Sequence, residues 1–127
     1  MLGTGSAGTG ITHQLLRTMV ASGMDESAAR KCFYLIDRGG LLHDGRKDIK
    51  RIHEPFSHSM SDLQAWACDG EQKISLEDVV HNAKPTVMIG ATGQAGVFSE
   101  AVVREMALHT EVPVIFPLSN PTSRAEA

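Results

Sequence analysis

Cysteine and aromatic residues are scarce in this 127-residue sequence, positive charge is not in surplus, and no long apolar run is present. The two cysteines, Cys32 and Cys68, lack CxxC spacing, which points to reduced thiols rather than a disulfide scaffold or a metal site. Cys32 lies in an apolar run and is expected to be a small core residue. Twelve Lys plus Arg stand against fifteen Asp plus Glu, a formal charge of −3. Without a basic block there is no footprint for nucleic acid or an anionic membrane surface. The longest apolar stretches, around 85–91 and 112–118, fall far short of the roughly 20 residues of a spanning helix. The opening MLGTGSAGTG has neither the basic start nor the apolar core of a secretory signal, so a cytoplasmic location is expected.

What is present is an ordinary globular composition, 42% hydrophobic and 21% charged, in which apolar periodicity switches between about 3.6 and short continuous runs. Ile11, Leu15, Leu16, Met19 and Val20 line one face of a helix that Gly23 terminates, and Asp25 caps a second short turn through Arg30. CFYLID, 32–37, reads as a strand buried on both faces. The segment from 38 to about 71 is irregular apart from a turn of helix near 61–67. Ser75 then starts SLEDVVHNA, a helix with acids in its first turn. A strand over 85–91, a helix capped by Ser99, and a strand over 113–118 ending in Ser119, Asn120 and Pro121 complete the chain. This alternation predicts an α/β fold, a parallel sheet with helices on both faces, whose ligand sits beyond the carboxyl ends of the strands.

Gly3, Gly5 and Gly8 form GxGxxG, the spacing needed for a tight turn, close approach to a pyrophosphate and close helix packing. The pattern alone is equally a tight strand-to-helix turn, but an amphipathic helix follows, and then an apolar run ending in Asp37. A carboxylate there accepts hydrogen bonds from the adenosine ribose hydroxyls and disfavours a 2′-phosphate, which points to NAD over NADP. Arg38 beside it counters that preference, because a guanidinium binds phosphate. Gly90, Thr92, Gly93 and Gly96 make a second glycine turn, either small for packing or laid along the nicotinamide half of a dinucleotide. Asn120 is either a turn former or an amide donor on the same rim. His13, His43, His53, His58, His81 and His109 are scattered without metal-ligand spacing and read as surface or loop residues. Only Met1 and Leu2 precede the fingerprint, too few for the strand it requires. The expectation is therefore one incomplete Rossmann-like domain over 1–127, its first strand largely missing, belonging to a longer chain.

The motifs LGTGSAGTGI, YLIDRGGLLHDGR, HEPFSH, KPTVMIGATGQAGVFSE and PVIFPLSNPTSRAEA, in this order, resemble the NAD-binding domain of malic enzyme. The resemblance implies that Gly3, Gly5, Ser6, Ala7 and Gly8 bind the pyrophosphate and Asp37, with Arg38 beside it, the adenosine ribose. Thr92 and Gly93 would lie beside the nicotinamide, and Asn120 would contact both dinucleotide and malate. His53 stands where NADP-using members carry a lysine for the 2′-phosphate, which again favours NAD. The resemblance further implies oxidative decarboxylation of L-malate to pyruvate and CO2. The catalytic acid and base and the ligands for Mg²⁺ or Mn²⁺ would lie outside this chain, in a full-length homo-oligomer. Malolactic enzymes share these motifs, and a non-catalytic dinucleotide-binding module is the rival from another class.

Overall fold

The computed structural model describes residues 1–68 and 73–127. Along them run α1 (Ser6–Ala21), α2 (Glu26–Lys31), β1 (Ile36–Asp37), β2 (Gly40–Leu41), α3 (Met60–Leu63), α4 (Leu76–Ala83), β3 (Val87–Gly90), α5 (Glu100–His109) and β4 (Val114–Pro117). Short 3-10 turns occupy Glu54–Phe56 and Thr122–Arg124. The irregular segment expected from 38 to about 71 reaches residues 69–71, which lie outside the described residues.

Four of the helix starts are fixed by the residue before them, that of α3 by Ser59, whose Oγ accepts from the Ser61 N–H at 3.2 Å. The Ala28 N–H donates to Asp25 at 3.0 Å and the Val102 N–H to Ser99 at 3.3 Å. Ser75 and Asp78 form a reciprocal capping box, with Asp78 N–H donating to Ser75 Oγ at 3.1 Å and Ser75 N–H to Asp78 Oδ2 at 2.8 Å. Each such cap contributes about 1 kcal/mol by satisfying N–H groups the helix cannot. α1 differs: it starts after Gly5, with no side-chain cap.

β3 and β4 pair in parallel, from Val87 opposite Val114 to Gly90 opposite Pro117. Between β1 and β3 lies the segment Met1 to Gly3. Leu2 bridges in parallel to both Ile36 and Gly90, and the bonds alternate from side to side. Leu2 N–H donates to the Ile89 carbonyl (2.8 Å), Ala91 N–H to Leu2 (2.9 Å), Ile36 N–H to Met1 (2.9 Å) and Gly3 N–H to Ile36 (2.8 Å). The spatial order is thus β2, β1, the 1–3 segment, β3, β4.

Two expectations need correction. The run 32–37 is strand only at Ile36–Asp37, because the Cys32 and Phe33 N–H groups are spent closing α2 on Ala29 and Arg30. Cys32 is consequently exposed, its thiol donating to the Ala28 carbonyl at 3.5 Å, and is not a core residue. The sheet is also not wholly parallel, since β1 turns straight back into β2 as an antiparallel hairpin, Ile36 opposite Leu41.

Alternation along the strands sends neighbouring side chains to opposite faces. Leu2, Ile36, Leu41 and Met88 join Val79, Val80, Val102 and Met106 of α4 and α5 in one core cluster. Leu35 and Leu42 join Leu16, Ala29 and Phe56 in a second, beside α1 and α2. Helices therefore cover both faces. Along α5, Met106 is fully buried while Leu108 is 75% exposed. Met106→Ala is expected to cost about 2–5 kcal/mol in urea denaturation, whereas Leu108→Ala should stay within about 0.5 kcal/mol.

Candidate dinucleotide site

The glycine turn carries out three different steric tasks. Gly3 has φ +103°, and a Cβ there would lie 2.5 Å from the Ala91 carbonyl oxygen, so only glycine lets the chain pass β3 this closely. At Gly8 a Cβ would meet the Gly3 carbonyl oxygen at 2.0 Å, so α1 packs onto the turn through a bare Cα. Gly5 is the reverse, because a Cβ built on it meets nothing within 4 Å. Its bareness serves no contact among the described residues and leaves a cradle at the start of a 16-residue helix. The N–H groups of Ser6, Ala7 and Gly8 lie ahead of the first internal bond of that helix, from Thr9 to the Gly5 carbonyl at 2.9 Å, and this end attracts anions.

A cleft of about 630 Å³ opens in front of this turn. Gly3, Thr4 and Gly5 line it from the centre, Asp37, Arg38 and Gly40 from the β1–β2 hairpin, and Thr92 and Gln94 from the loop after β3. Of the sequence-predicted residues, Gly3, Gly5, Asp37, Arg38 and Thr92 thus share one cleft. Ser6, Ala7, Gly8, Gly93 and Asn120 stand next to these in the chain or on the adjoining rim and do not line it. Lys73, Ser75 and Glu77 also face the cleft. They went unnoticed in the sequence because the start of a capped helix gives no sign of what it faces.

At the hairpin end, Asp37 is braced. Arg46 spans its carboxylate, Nη1 to Oδ1 at 2.9 Å and Nη2 to Oδ2 at 3.2 Å, and the Gly39 N–H donates to Oδ1 at 2.8 Å. Arg46 also holds Asp48, and Asp48 and then Asp37 keep the guanidinium well above its usual range. No sequence signal marked Arg46 as the partner of an acid nine residues earlier. His53, expected as a surface or loop residue, is in a loop but only 4% exposed. The Thr9 hydroxyl lies 3.2 Å from the Thr4 carbonyl and 2.9 Å from His53 Nε2, and it links the ring to the glycine turn. Burial, followed by the Lys50 charge, lowers the His53 pKa, and the ring is neutral at pH 7.

The other end is organised by a residue the sequence did not reveal. Glu126 is fully buried. Its Oε1 accepts from the Thr92 N–H (2.7 Å), the Thr92 hydroxyl (3.0 Å) and the Ser119 hydroxyl, and its Oε2 accepts from the Ser119 N–H (3.2 Å). The Gly93 N–H in turn donates to Ser119 Oγ at 2.8 Å. Asn120, next to Ser119, is exposed. Among the described residues no group of three or more His, Cys, Asp or Glu is placed to hold a metal, and no helix is long and apolar enough to cross a membrane.

A helical N-terminus left without a side-chain cap beside a mixed sheet, with an acid at the next strand end, defines an α/β protein whose helix-start N–H groups stand beside a cleft. All 127 residues match the family model for the malic enzyme NAD-binding domain, and the chain belongs to that family. It is 44% identical over 126 residues to an NAD-dependent malic enzyme of Shewanella loihica and 43% identical to one of Pseudomonas aeruginosa. A third such enzyme, from Aliivibrio salmonicida, is 44% identical. In each case 99% of this chain is aligned, against 22% of the relative, so the chain spans about a fifth of their length.

Burial alone would raise the Glu126 carboxyl, but the donors from Ser119 and Thr92 outweigh it and hold the pKa at about 2, below the ordinary 4.5. A depressed folded-state pKa adds stability that is complete above the unfolded value and disappears as pH falls toward the folded one. Acid titration of the chain is therefore expected to show a loss of stability between pH about 4.5 and 2 that Glu126→Gln lacks. Parallel curves for the two proteins would contradict this.

Proposed function

We propose that these residues form the dinucleotide-holding part of an NAD-dependent malic enzyme, a Rossmann-like domain over 1–127 working within a longer chain. The observation that carries this reading is the open cradle at Gly5, the one glycine of the three whose missing side chain serves no contact among the described residues. The α1 N–H groups of Ser6, Ala7 and Gly8 would receive the pyrophosphate, with Gly3 shaping the turn. Asp37, fixed by Arg46, would accept a ribose hydroxyl on Oδ2, with Arg38 beside it. Thr92 and Gly93 would flank the nicotinamide, and the Asn120 amide would reach dinucleotide and malate from the neighbouring rim.

NAD, when bound, would supply the hydride acceptor for C2 of L-malate; the C2 hydroxyl proton would pass to a base outside this chain, and after loss of CO2 a proton would return to C3 to give pyruvate. This chain would orient the two reactants for that transfer, and orientation is a large part of catalytic power. The divalent metal, Mg²⁺ or Mn²⁺, and the proton-transferring groups would belong to the rest of the protein. His53 supports NAD over NADP, since a neutral, buried ring already bonded to Thr9 is no anchor for a 2′-phosphate.

Gly5 has an ordinary φ of −71°, so a side chain there strains nothing and fills only the cradle. In the full-length protein Gly5→Val is expected to weaken NAD binding at least about tenfold while costing at most about 1 kcal/mol of stability. Titration calorimetry and thermal melting check the two arms, and unchanged NAD affinity would overturn the reading. Wild-type enzyme given malate, Mn²⁺ and NAD should form pyruvate and NADH in equal amounts. Lactate without net NADH would indicate malolactic chemistry instead.

A further inference from the structure

The loops after β3 and β4 meet on a single carboxylate. Glu126 lies under the end of β3 because residue 90 is glycine, where a Cβ would sit 2.5 Å from the Glu126 Cγ. Its backbone is tied down too, its carbonyl accepting from the Phe98 N–H at 2.8 Å. The side chain then takes donors from Thr92 on one loop and Ser119 on the other, and Ser119 passes the link to the Gly93 N–H at 2.8 Å. Thr92 Oγ1, while donating to Glu126, accepts the Gln94 N–H at 3.0 Å. Glu126 is the buried centre of this network, with Thr92 and Ser119 its half-buried arms, and mutual partnering of its members stiffens it. A charge this deep is otherwise costly, and the two loops supply the donors that offset the cost.

We infer that Glu126 is a positioning residue for hydride transfer, a buried clamp that sets the distance between the Thr92–Gly93 loop and Asn120. The inference rests on the proposed reading of these loops as the nicotinamide rim. Glu126 touches neither reactant and donates no proton. Its role is to hold the loop on which the ring rests in register with the amide that meets the substrate. Glutamine at 126 keeps the shape but turns an NH2 group toward groups that are themselves donors, so the loops separate. The glycine turn and Asp37 lie across the cleft and keep their hold on the dinucleotide.

In the full-length enzyme, Glu126→Gln is expected to lower kcat for malate oxidation at least about thirtyfold, with KM for malate and Kd for NAD within about threefold of wild type. The primary isotope effect with malate deuterated at C2 should rise, while decarboxylation of added oxaloacetate, which needs no hydride transfer, falls far less than malate oxidation. General structural damage would lower both activities together, and that result overturns the clamp, as does wild-type kcat in the variant. Ser119→Ala removes one hydroxyl from the network and guards against misfolding of the first variant. It should show the same pattern at about three- to tenfold, and unaltered kcat there also overturns the clamp. Wild-type enzyme that forms no NADH from malate fails the parent reading, a result distinct from any of these.

Discussion

Three residues threaded between two strands hold this structure together. Met1, Leu2 and Gly3 exchange backbone hydrogen bonds with Ile36 on one side and with Ile89 and Ala91 on the other. Strand pairing of this kind fixes direction as well as position. The segment must leave the sheet at the same edge where β1 ends in Asp37 and β3 ends in Gly90. The turn at Gly3, the acid at 37 and the loop at 91–94 therefore open onto one cleft, and the positive φ of Gly3 directs the chain away from Ala91 into α1. A displaced register there would move all three walls at once.

The two ends of the cleft are made rigid by opposite means. At the hairpin a guanidinium, its side chain only 10% exposed, braces a carboxylate that still faces the cleft. At the β3–β4 rim a buried carboxylate gathers neutral donors from two loops. In each case the group closest to the proposed ligand is held by another that lies behind it. Ligand-facing side chains gain precision when what supports them is fully partnered.

Local chemistry was legible in the sequence. Asp25, Ser75 and Ser99 cap helices because capping is decided within four residues, and the glycine spacing signalled its turn for the same reason. What escaped depended on distant partners. Cys32 looked like core because the apolar run continues through it, yet the closing turn of α2 takes its N–H and leaves it exposed. The β1–β2 hairpin was hidden in a segment rich in Gly, His and Asp with no alternating pattern. Arg46 and Glu126 gave no signal at all: each is one charge among many until the fold brings Asp37 to the first, and Thr92 and Ser119 to the second. A buried Glu cannot be distinguished from a solvated one without knowing which N–H groups reach it.

Cofactor preference depends on distant partners in the same way. From the sequence, Asp37 disfavours a 2′-phosphate by charge, and Arg38 opposes it. In the cleft, Arg38 and Lys73 balance Asp37 and Glu77, and Arg46 pairs with Asp37 from behind, so net repulsion is weak. In the proposed reading, hydrogen-bond capacity would decide instead. Among the described residues, Oδ1 of Asp37 already accepts from Gly39 and Arg46, while Oδ2 accepts only from Arg46. With two lone pairs on each oxygen, one site on Oδ2 remains for a donor. A ribose hydroxyl supplies that donor and a phosphate oxygen does not. Selection by an acceptor of fixed orientation is less sensitive to salt than selection by charge, and it depends on Arg46 keeping the carboxylate in place.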